Sequence, residues 1–365
     1  MNFFHTRISP QAIEFAQAAL SSGFVSEGKL VRQFEGELSS QLGLIGPVAL
    51  NSGSSALHLG LVVAGVGAGD EVILPAQTFV ASGLSIVMCG AKPVFADIQR
   101  YSGNLDPGAI RAKITPRTKA IMPVHWGGYP CDMDELNAVA GEHGLAVIED
   151  AAHALGATYK GRPVGALSRF TAFSFQAIKH LTTGDGGALC CLGDADREEA
   201  RRRRWFGIDR VRDVATILGE REYDLETVGF KYHLNDVAAA IGLGNLPGLP
   251  LALARHRAIA ARYRNELRSI PGLDLLECRP DRNGSWWLFT VLVERREDFV
   301  RALSGRDVPT SVVHLRIDRN RVLGGVQSDL VNQGWFNDRQ VALPVHVGLC
   351  DEDVEQVICA VRAGW

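Results

Sequence analysis

The sequence predicts an α/β protein: a mainly parallel, seven-stranded sheet covered by helices, with a smaller C-terminal α/β domain behind it. Three observations predict this. Seven short apolar runs recur between residues 47 and 192, helix-like segments ending in glycine separate several of them, and the runs are continuously apolar rather than alternating. Strands that are apolar on both sides need cover on both sides, which is the arrangement of parallel sheets between helices.

The runs are PVAL (47–50), EVILP (71–75), PVFADI (93–98), KAIMPV (119–124), LAVIED (145–150), FTAFSF (170–175) and GALCCL (187–192). SALHLGLVVAG and MDELNAVAGEHG, lying between runs, have helical periodicity. The last run follows GDGG too closely for a crossover helix, so it is expected to pair antiparallel. Ahead of this block, SPQAIEFAQAALSSG and LVRQFEGELSSQLG read as helices. After it, residues 195–205 and NDVAAAIGLGNL do so too, the latter capped by Asn235 or Asp236. Pro247, Gly248 and Pro250 then punctuate the chain, and a boundary near residue 250 divides a large domain (1–249) from a small one (250–365). In the small domain a long basic helix, LALARHRAIAARYRNELRSI, precedes strands at WWLFTVLVE and TSVVHLRI and a closing helix at DEDVEQVICAVRAGW.

Composition narrows the function. The chain has 365 residues, 46% hydrophobic and 22% charged, enough to bury a large core without disulfides or a structural metal. Lys plus Arg (38) against Asp plus Glu (41) gives a formal charge of −3, which excludes the overall basic bias of a dedicated nucleic-acid binder. Seven scattered cysteines without a C-x-x-C pair fit a reducing cytosol. The start, MNFFHTRISP, lacks a secretory pattern, and the apolar stretch 237–254 is interrupted by Asn245, Pro247, Pro250 and three glycines. A soluble, cytoplasmic protein with no membrane or nucleic-acid partner is expected. Ten histidines show no metal-ligand spacing, so no metal site is expected. Gly65-Val66-Gly67-Ala68-Gly69-Asp70 follows a helix and precedes a strand, the reverse of a dinucleotide fingerprint, and reads as a turn. The arginine run 201–204 lies beside Glu198 and Glu199 and reads as self-paired surface charge.

In open α/β sheets, ligands sit beyond the carboxyl ends of the strands. Five strand ends here deliver polar or aromatic groups: Asn51-Ser52-Gly53-Ser54-Ser55, Gln77-Thr78-Phe79, His125-Trp126, Asp150 with His153, and Ser174. The first is a turn into a helix whose free N–H groups, with Gly53 for close approach and the Ser54 and Ser55 hydroxyls, suit an anion. Asp150, at a central strand tip, needs a cation or a protonated ring nitrogen as partner. Lys179, just past a strand and before a glycine turn, is placed to lose its charge in low dielectric, as a Schiff-base lysine must. His180 beside it reads as structural. An anion cup, a buried carboxylate, a flat aromatic (Phe79) and an amine together describe a site for pyridoxal 5'-phosphate, whose protonated ring serves as an electron sink.

The same residues carry a family resemblance. SGFVSEGKLVRQFE, NSGSSALHL, GDEVILPAQTFVAS, VIEDAAHALGA, AFSFQAIKHLTTGDGG, GFKYHLNDVAAAIG and LPVHVGLCDEDVEQV resemble the DegT/DnrJ/StrS sugar aminotransferases. The resemblance implies the aspartate-aminotransferase fold (PLP fold type I) and a homodimer with active sites at the interface. It also implies transfer of an amino group, usually from glutamate, to a keto group of a nucleotide-linked sugar, in amino-sugar or polysaccharide biosynthesis. By that resemblance Lys179 is the cofactor lysine, Asp150 the partner of the pyridine nitrogen, and His153 the neighbour of the phenolic oxygen. Phe79 stacks on the ring, and Ser54, Ser55 and Ser174 contact the phosphate. Lys231 stands where the family has an asparagine that reaches the partner's phosphate, and an ammonium suits that anion by charge. Ser26, His125, His314 and Arg316 are candidate substrate contacts, although VVHLRIDRN (312–320) lacks the proline common in the family's substrate loop. A free keto-sugar, sugar acid or cyclitol remains an alternative acceptor. Two rivals remain: a sugar dehydratase, against which Lys179 counts because those enzymes carry histidine there, and a non-catalytic regulatory homologue.

Overall fold

The computed structural model describes residues 1–209, 216–220 and 223–365. Two helices open the chain: α1 (Pro10–Ser21), whose N-terminus Ser9 caps by accepting from Ala12 N–H, and α2 (Lys29–Leu42). Seven strands follow: β1 (Pro47–Leu50), β2 (Glu71–Pro75), β3 (Lys92–Ala96), β4 (Thr118–Ile121), β5 (Ala146–Asp150), β6 (Phe170–Ser174) and β7 (Gly187–Cys191). They form one sheet in the order β1-β7-β6-β5-β4-β2-β3. Only β7 runs against its neighbours, pairing antiparallel with both β1 and β6, as its short connection requires.

The continuously apolar strands are explained by what lies on each side. Val72 and Leu74 of β2 pack into one cluster, with Leu57, Leu59 and Ile86 from α3 (Gly53–Val63) and α4 (Val80–Met88). Ile73 between them points the other way, into a cluster with Phe34 of α2 and with Leu136 and Val139 of α5 (Met133–His143). Successive strand residues face opposite sides, so a sheet buried on both favours apolar residues along its length. Most polar residues are therefore pushed to the strand ends, with Glu149 and Thr171, which pair with each other, as buried exceptions.

Helices α6 (Asp194–Arg203) and α7 (Asp236–Asn245) complete this layer, and the Asn235 side chain caps α7 by accepting from Ala238 N–H. Arginines 201, 202 and 203 pair with Glu198 and Glu199 on their own helix. Arg204 instead turns inward, bound to the Glu27 and Glu35 carboxylates. The helical run from Asp236 to Leu267, which includes α8 (Leu249–Leu267), is long and apolar enough to cross a membrane. Yet 56% of its most apolar window is buried inside the fold, as a core helix would be.

The C-terminal part builds a three-stranded antiparallel sheet of β8 (Leu273–Leu275), β9 (Phe289–Val293) and β10 (Gln340–Leu343), with β9 central. Tyr263 of α8, Phe299 of α9 (Arg296–Ser304) and Val357 of α11 (Asp351–Arg362) pack on it, α10 (Val331–Arg339) lying earlier in the chain than α11. One strand expected from the sequence is absent: in TSVVHLRI only Ser311 bridges, to Ala342. The chain leaves the sheet at Val313, whose backbone is in the left-handed region (φ 62°), and a turn replaces the strand.

Candidate active site

The ends of β1, β2, β5 and β6 converge on a cavity of about 350 Å³. β1 ends in Asn51-Ser52, and Ser52 caps α3, its Oγ accepting from Ser55 N–H (3.0 Å). Gly53 opens that helix against β6. A Cβ on Gly53 would lie 2.8 Å from the Ser174 Cβ, so only glycine lets the helix N-terminus close onto the end of β6. The result is a cup of Ser52, Gly53, Ser54 and Ser174 at a helix N-terminus, where backbone N–H groups favour an anion.

Asp150 forms the floor. It is 6% exposed, and its Oδ2 accepts from the Ser82 hydroxyl (2.6 Å) while Oδ1 accepts from Ala152 N–H (3.1 Å). Ser82 is itself hydrogen-bonded to Thr78 (2.7 Å), so a hydroxyl pair from the β2–α4 connection orients the carboxylate. Lys179 lies in the turn after β6, its backbone N–H donating to Gln176 C=O. Its ammonium sits 3.5 Å from the ring centroid of Trp287. Burial lowers the Lys179 pKa from 10.5 to about 7, against the opposing pull of the Asp150 charge. Near neutral pH a large share of this amine is therefore free of its proton.

The walls are aromatic. His153 stacks on Trp287 (3.9 Å between centroids, 20° between planes) and lies nearly parallel to His314 at 5.7 Å. Phe79 stands at the mouth, half exposed, 5.1 Å from His314. Burial, with Lys179 nearby, pushes His314 down to about 4 and His153 well below its usual range, so both imidazoles are neutral. His153 Nδ1 is buried without a hydrogen-bond partner among the described residues. A buried polar atom left open beside a cavity is an unfilled place for a ligand.

Of the residues expected from sequence, Gly53, Ser54, Phe79, Asp150, His153, Ser174, Lys179 and His314 line this cavity together. Five do not. Ser55 turns back to Asn51 Oδ1 (2.6 Å) and Ser52, spending its hydroxyl on the cap. His125 is fully buried on the other side of β5, its Nε2 on Glu149 (2.8 Å) and its Nδ1 accepting from Cys131 N–H. Burial opposes its charge, but Cys131 and Glu149 raise its pKa, and it is a core residue rather than a substrate contact. Arg316 is folded into its own loop, held bidentate by Asp318 (2.7 and 2.6 Å) and by Gln327 C=O, so it is not a free anion contact. Ser26 and Lys231 are exposed and lie outside this chain's cavity. Lys231 extends over Trp205 (5.0 Å). His180 is structural as expected, bonded to Ser285 C=O.

Sequence reasoning missed Ser82 and Trp287, and it placed Ser52 in the strand-end cluster without giving it a role. Ser52 was visible as the residue before Gly53, and Ser82 sits one helical turn past Phe79. Trp287 carried no signal, because it looked like part of a small-domain strand. Its indole N–H donates to Ile178 C=O (2.9 Å), tying the C-terminal part to the Lys179 turn.

These residues fit pyridoxal phosphate on two observations: a cup that a Cβ would fill, and the open Nδ1 of His153 beside a buried carboxylate and an amine. Fold and site together define a class, the fold type I enzymes that work with this cofactor. The chain belongs to the DegT/DnrJ/EryC1/StrS aminotransferase family, which matches residues 6–362, and it is a PLP-dependent sugar aminotransferase. It is 38% identical over 370 residues to the spore coat polysaccharide biosynthesis protein SpsC of Bacillus subtilis, covering 97% of this chain and 94% of that one. It is 35% identical over 353 residues to the GDP-perosamine synthase of Caulobacter vibrioides, covering 92% and 90%. Among solved structures, the sugar aminotransferase CalS13 from Micromonospora echinospora superposes with a TM-score of 0.95 at 34% identity, covering both chains completely. The putative sugar aminotransferase Spr1654 from Streptococcus pneumoniae, solved in its PLP-form, matches at 0.91 and 29% identity over 100% of this chain and 98% of that one.

Proposed function

We propose that this aminotransferase moves the amino group of glutamate to the keto group of a nucleotide-linked sugar, in the cytoplasm, to make an amino sugar for a polysaccharide or a glycosylated metabolite. The observation that carries the reading is the buried Lys179 amine, its pKa lowered to about 7, lining one cavity with the Asp150 carboxylate. The polysaccharide role named for SpsC and the nucleotide sugar named for GDP-perosamine synthase support the acceptor class.

In this reading Ser52, Gly53, Ser54 and Ser174 hold the cofactor's phosphate by N–H and hydroxyl donors. Asp150, oriented by Ser82, keeps the proton on the ring nitrogen. Phe79 and His153 would bound the ring, and the Lys179 amine would hold the aldehyde. Pyridoxal phosphate, when bound, supplies an electron sink that lets an α-proton leave and an amino group be stored. Lys179 is the only amine lining the cavity among the described residues, so once free it would serve as the base for the donor's α-proton and then as the acid that returns it. Burial among the aromatic walls favours the neutral form of that amine before it takes the proton, and makes it ready to give the proton up afterwards.

A homodimer with shared sites accompanies this reading. Phe24 (81% exposed) and Val228 (75%) are large apolar groups of the kind that a partner covers, and exposed Lys231 is free to reach a neighbouring subunit's phosphate. The division into domains at residue 250 is likewise our reading, with α8 as the connecting helix. The test is a panel of ketosugar nucleotides offered to glutamate-loaded enzyme, read by mass. An aminated sugar nucleotide is the expected product. Amination of free keto-sugars alone would move the substrate to the other class.

A further inference from the structure

Three glutamine side chains are buried together where the end of β2 meets the C-terminal sheet, and the chemistry derived above uses none of them. Gln77 follows β2, Gln333 lies on α10 and Gln340 opens β10, and none is more than 1% exposed. Gln333 Nε2 donates to Gln77 Oε1 (2.8 Å), and Gln77 Nε2 donates to Gln340 Oε1 (3.0 Å). Gln340 Nε2 then donates out of the group, to the backbone carbonyl of His314 (3.0 Å). Gln333 Oε1 has no partner among the described residues. A buried polar group that is only partly satisfied is worse for stability than an apolar one of the same shape. Its presence here therefore has to specify something.

What it holds is strained. Val313, at φ 62°, is a β-branched residue in the left-handed region, where its side chain crowds the backbone. His314 N–H closes a three-residue turn on Val312 C=O (2.8 Å), and Ser311 Oγ accepts from Val313 N–H (3.0 Å). Such turns persist only where their surroundings over-determine them. Here the surroundings are the amide of Gln340 and a second tie, Ile317 N–H to Ala76 C=O (2.9 Å), next to Gln77. The strained turn delivers the His314 ring to the cavity between Phe79 and His153.

We propose that Gln77, Gln333 and Gln340 form a positioning clamp that fixes the 312–314 turn, and that the clamp serves the keto-sugar acceptor rather than the amino donor. Both halves of the reaction need Lys179 and Asp150, and neither is bonded to the triad, so the clamp stands apart from that shared chemistry. A bulkier acceptor must also be bounded at the cavity mouth, where Phe79 and His314 stand. The inference rests on the acceptor reading given above.

The test uses the holoenzyme carrying Gln340→Met and, separately, Gln77→Met, each replacing an amide by an apolar chain of similar length. Hydrogen exchange of the peptide 311–317 is expected to quicken by about tenfold or more in both, with the β5 peptide unchanged. Loading by L-glutamate, followed by the cofactor's absorbance, is expected to stay within about threefold of wild type. Unloading by the ketosugar nucleotides that wild type accepts is expected to slow by about tenfold or more. Unchanged exchange at 311–317, general loss of protection, or equal slowing of both halves would each overturn the clamp. If wild type unloads to none of the sugars, the acceptor reading fails by itself. The exchange data then decide the clamp alone: local loss upholds it and unchanged protection overturns it.

Discussion

Glu149 and Asp150 are adjacent on β5 and face opposite sides of the sheet, and each is buried beside a histidine. Glu149 has every partner it needs: His125 Nε2 on one oxygen and Thr171 Oγ1 (2.9 Å) on the other. His125 in turn has both ring nitrogens engaged. Asp150 is held by Ser82 and Ala152 N–H but opens onto a cavity, and the nearby His153 leaves Nδ1 unpaired. Burial alone does not separate the two pairs. Hydrogen-bonding capacity left open beside a cavity does: Glu149 and His125 are fully engaged, whereas His153 keeps an open Nδ1 at the cavity that Asp150 lines.

The comparison breaks most readily at Lys179, the amine found on only one side. Lys179→Ala is expected to cut turnover by on the order of 10³-fold or more while circular dichroism stays that of the folded protein. Turnover near wild type would remove the amine from the chemistry. The next test sets the two carboxylates against each other. Asp150→Asn is expected to lower turnover by about 10²-fold with a small change in melting temperature. Glu149→Gln, which breaks a buried pair, is expected to cost about 3–5 kcal/mol of stability and leave turnover per folded molecule nearly intact. Interchanged outcomes would mean that the functional side of β5 has been assigned backwards.

Ser82→Ala sharpens the contrast at smaller scale. Losing a hydrogen bond to a charged group costs about 1.5–3 kcal/mol, so turnover is expected to fall by about tenfold or somewhat more with the fold unchanged. The smallest effect is in pH. With a Lys179 pKa of about 7, the rate at which the empty protein captures pyridoxal phosphate is expected to fall about fivefold from pH 7 to pH 6. The sign for stability is opposite to that of a paired lysine. Between the folded value of about 7 and the ordinary 10.5, the unfolded chain binds more protons, so Lys179 makes the empty protein more stable as pH rises through that window. A flat melting temperature in Lys179→Ala over the same window, against a rising one in wild type, would isolate the effect.

What could be read from sequence follows from the same physics. All seven strands of the main sheet were legible because a sheet buried on both faces keeps its strands mostly apolar, and the GDGG spacing alone reversed β7. Lys179, Asp150 and Gly53 were legible because polar residues after apolar runs mark strand ends. His125 met that criterion as well and proved structural, since sequence does not say on which side of β5 a partner such as Glu149 waits. The strand expected at TSVVHLRI failed at Val313. Local propensity favours an extended valine there, whereas the structure ties the turn by tertiary bonds from Gln340 to His314 C=O and from Ile317 N–H to Ala76 C=O. Trp287 was hidden for a related reason: its place beside Lys179 depends on contacts more than a hundred residues apart in sequence.

The central claim is that one amine in this chain, at Lys179, holds the cofactor over the open carboxylate of Asp150. Borohydride reduction of the pyridoxal phosphate-loaded enzyme, followed by peptide mass mapping, tests it directly. The account expects a single phosphopyridoxyl group on the peptide containing residue 179. Label on another lysine, or none on a protein that still turns over, would contradict it.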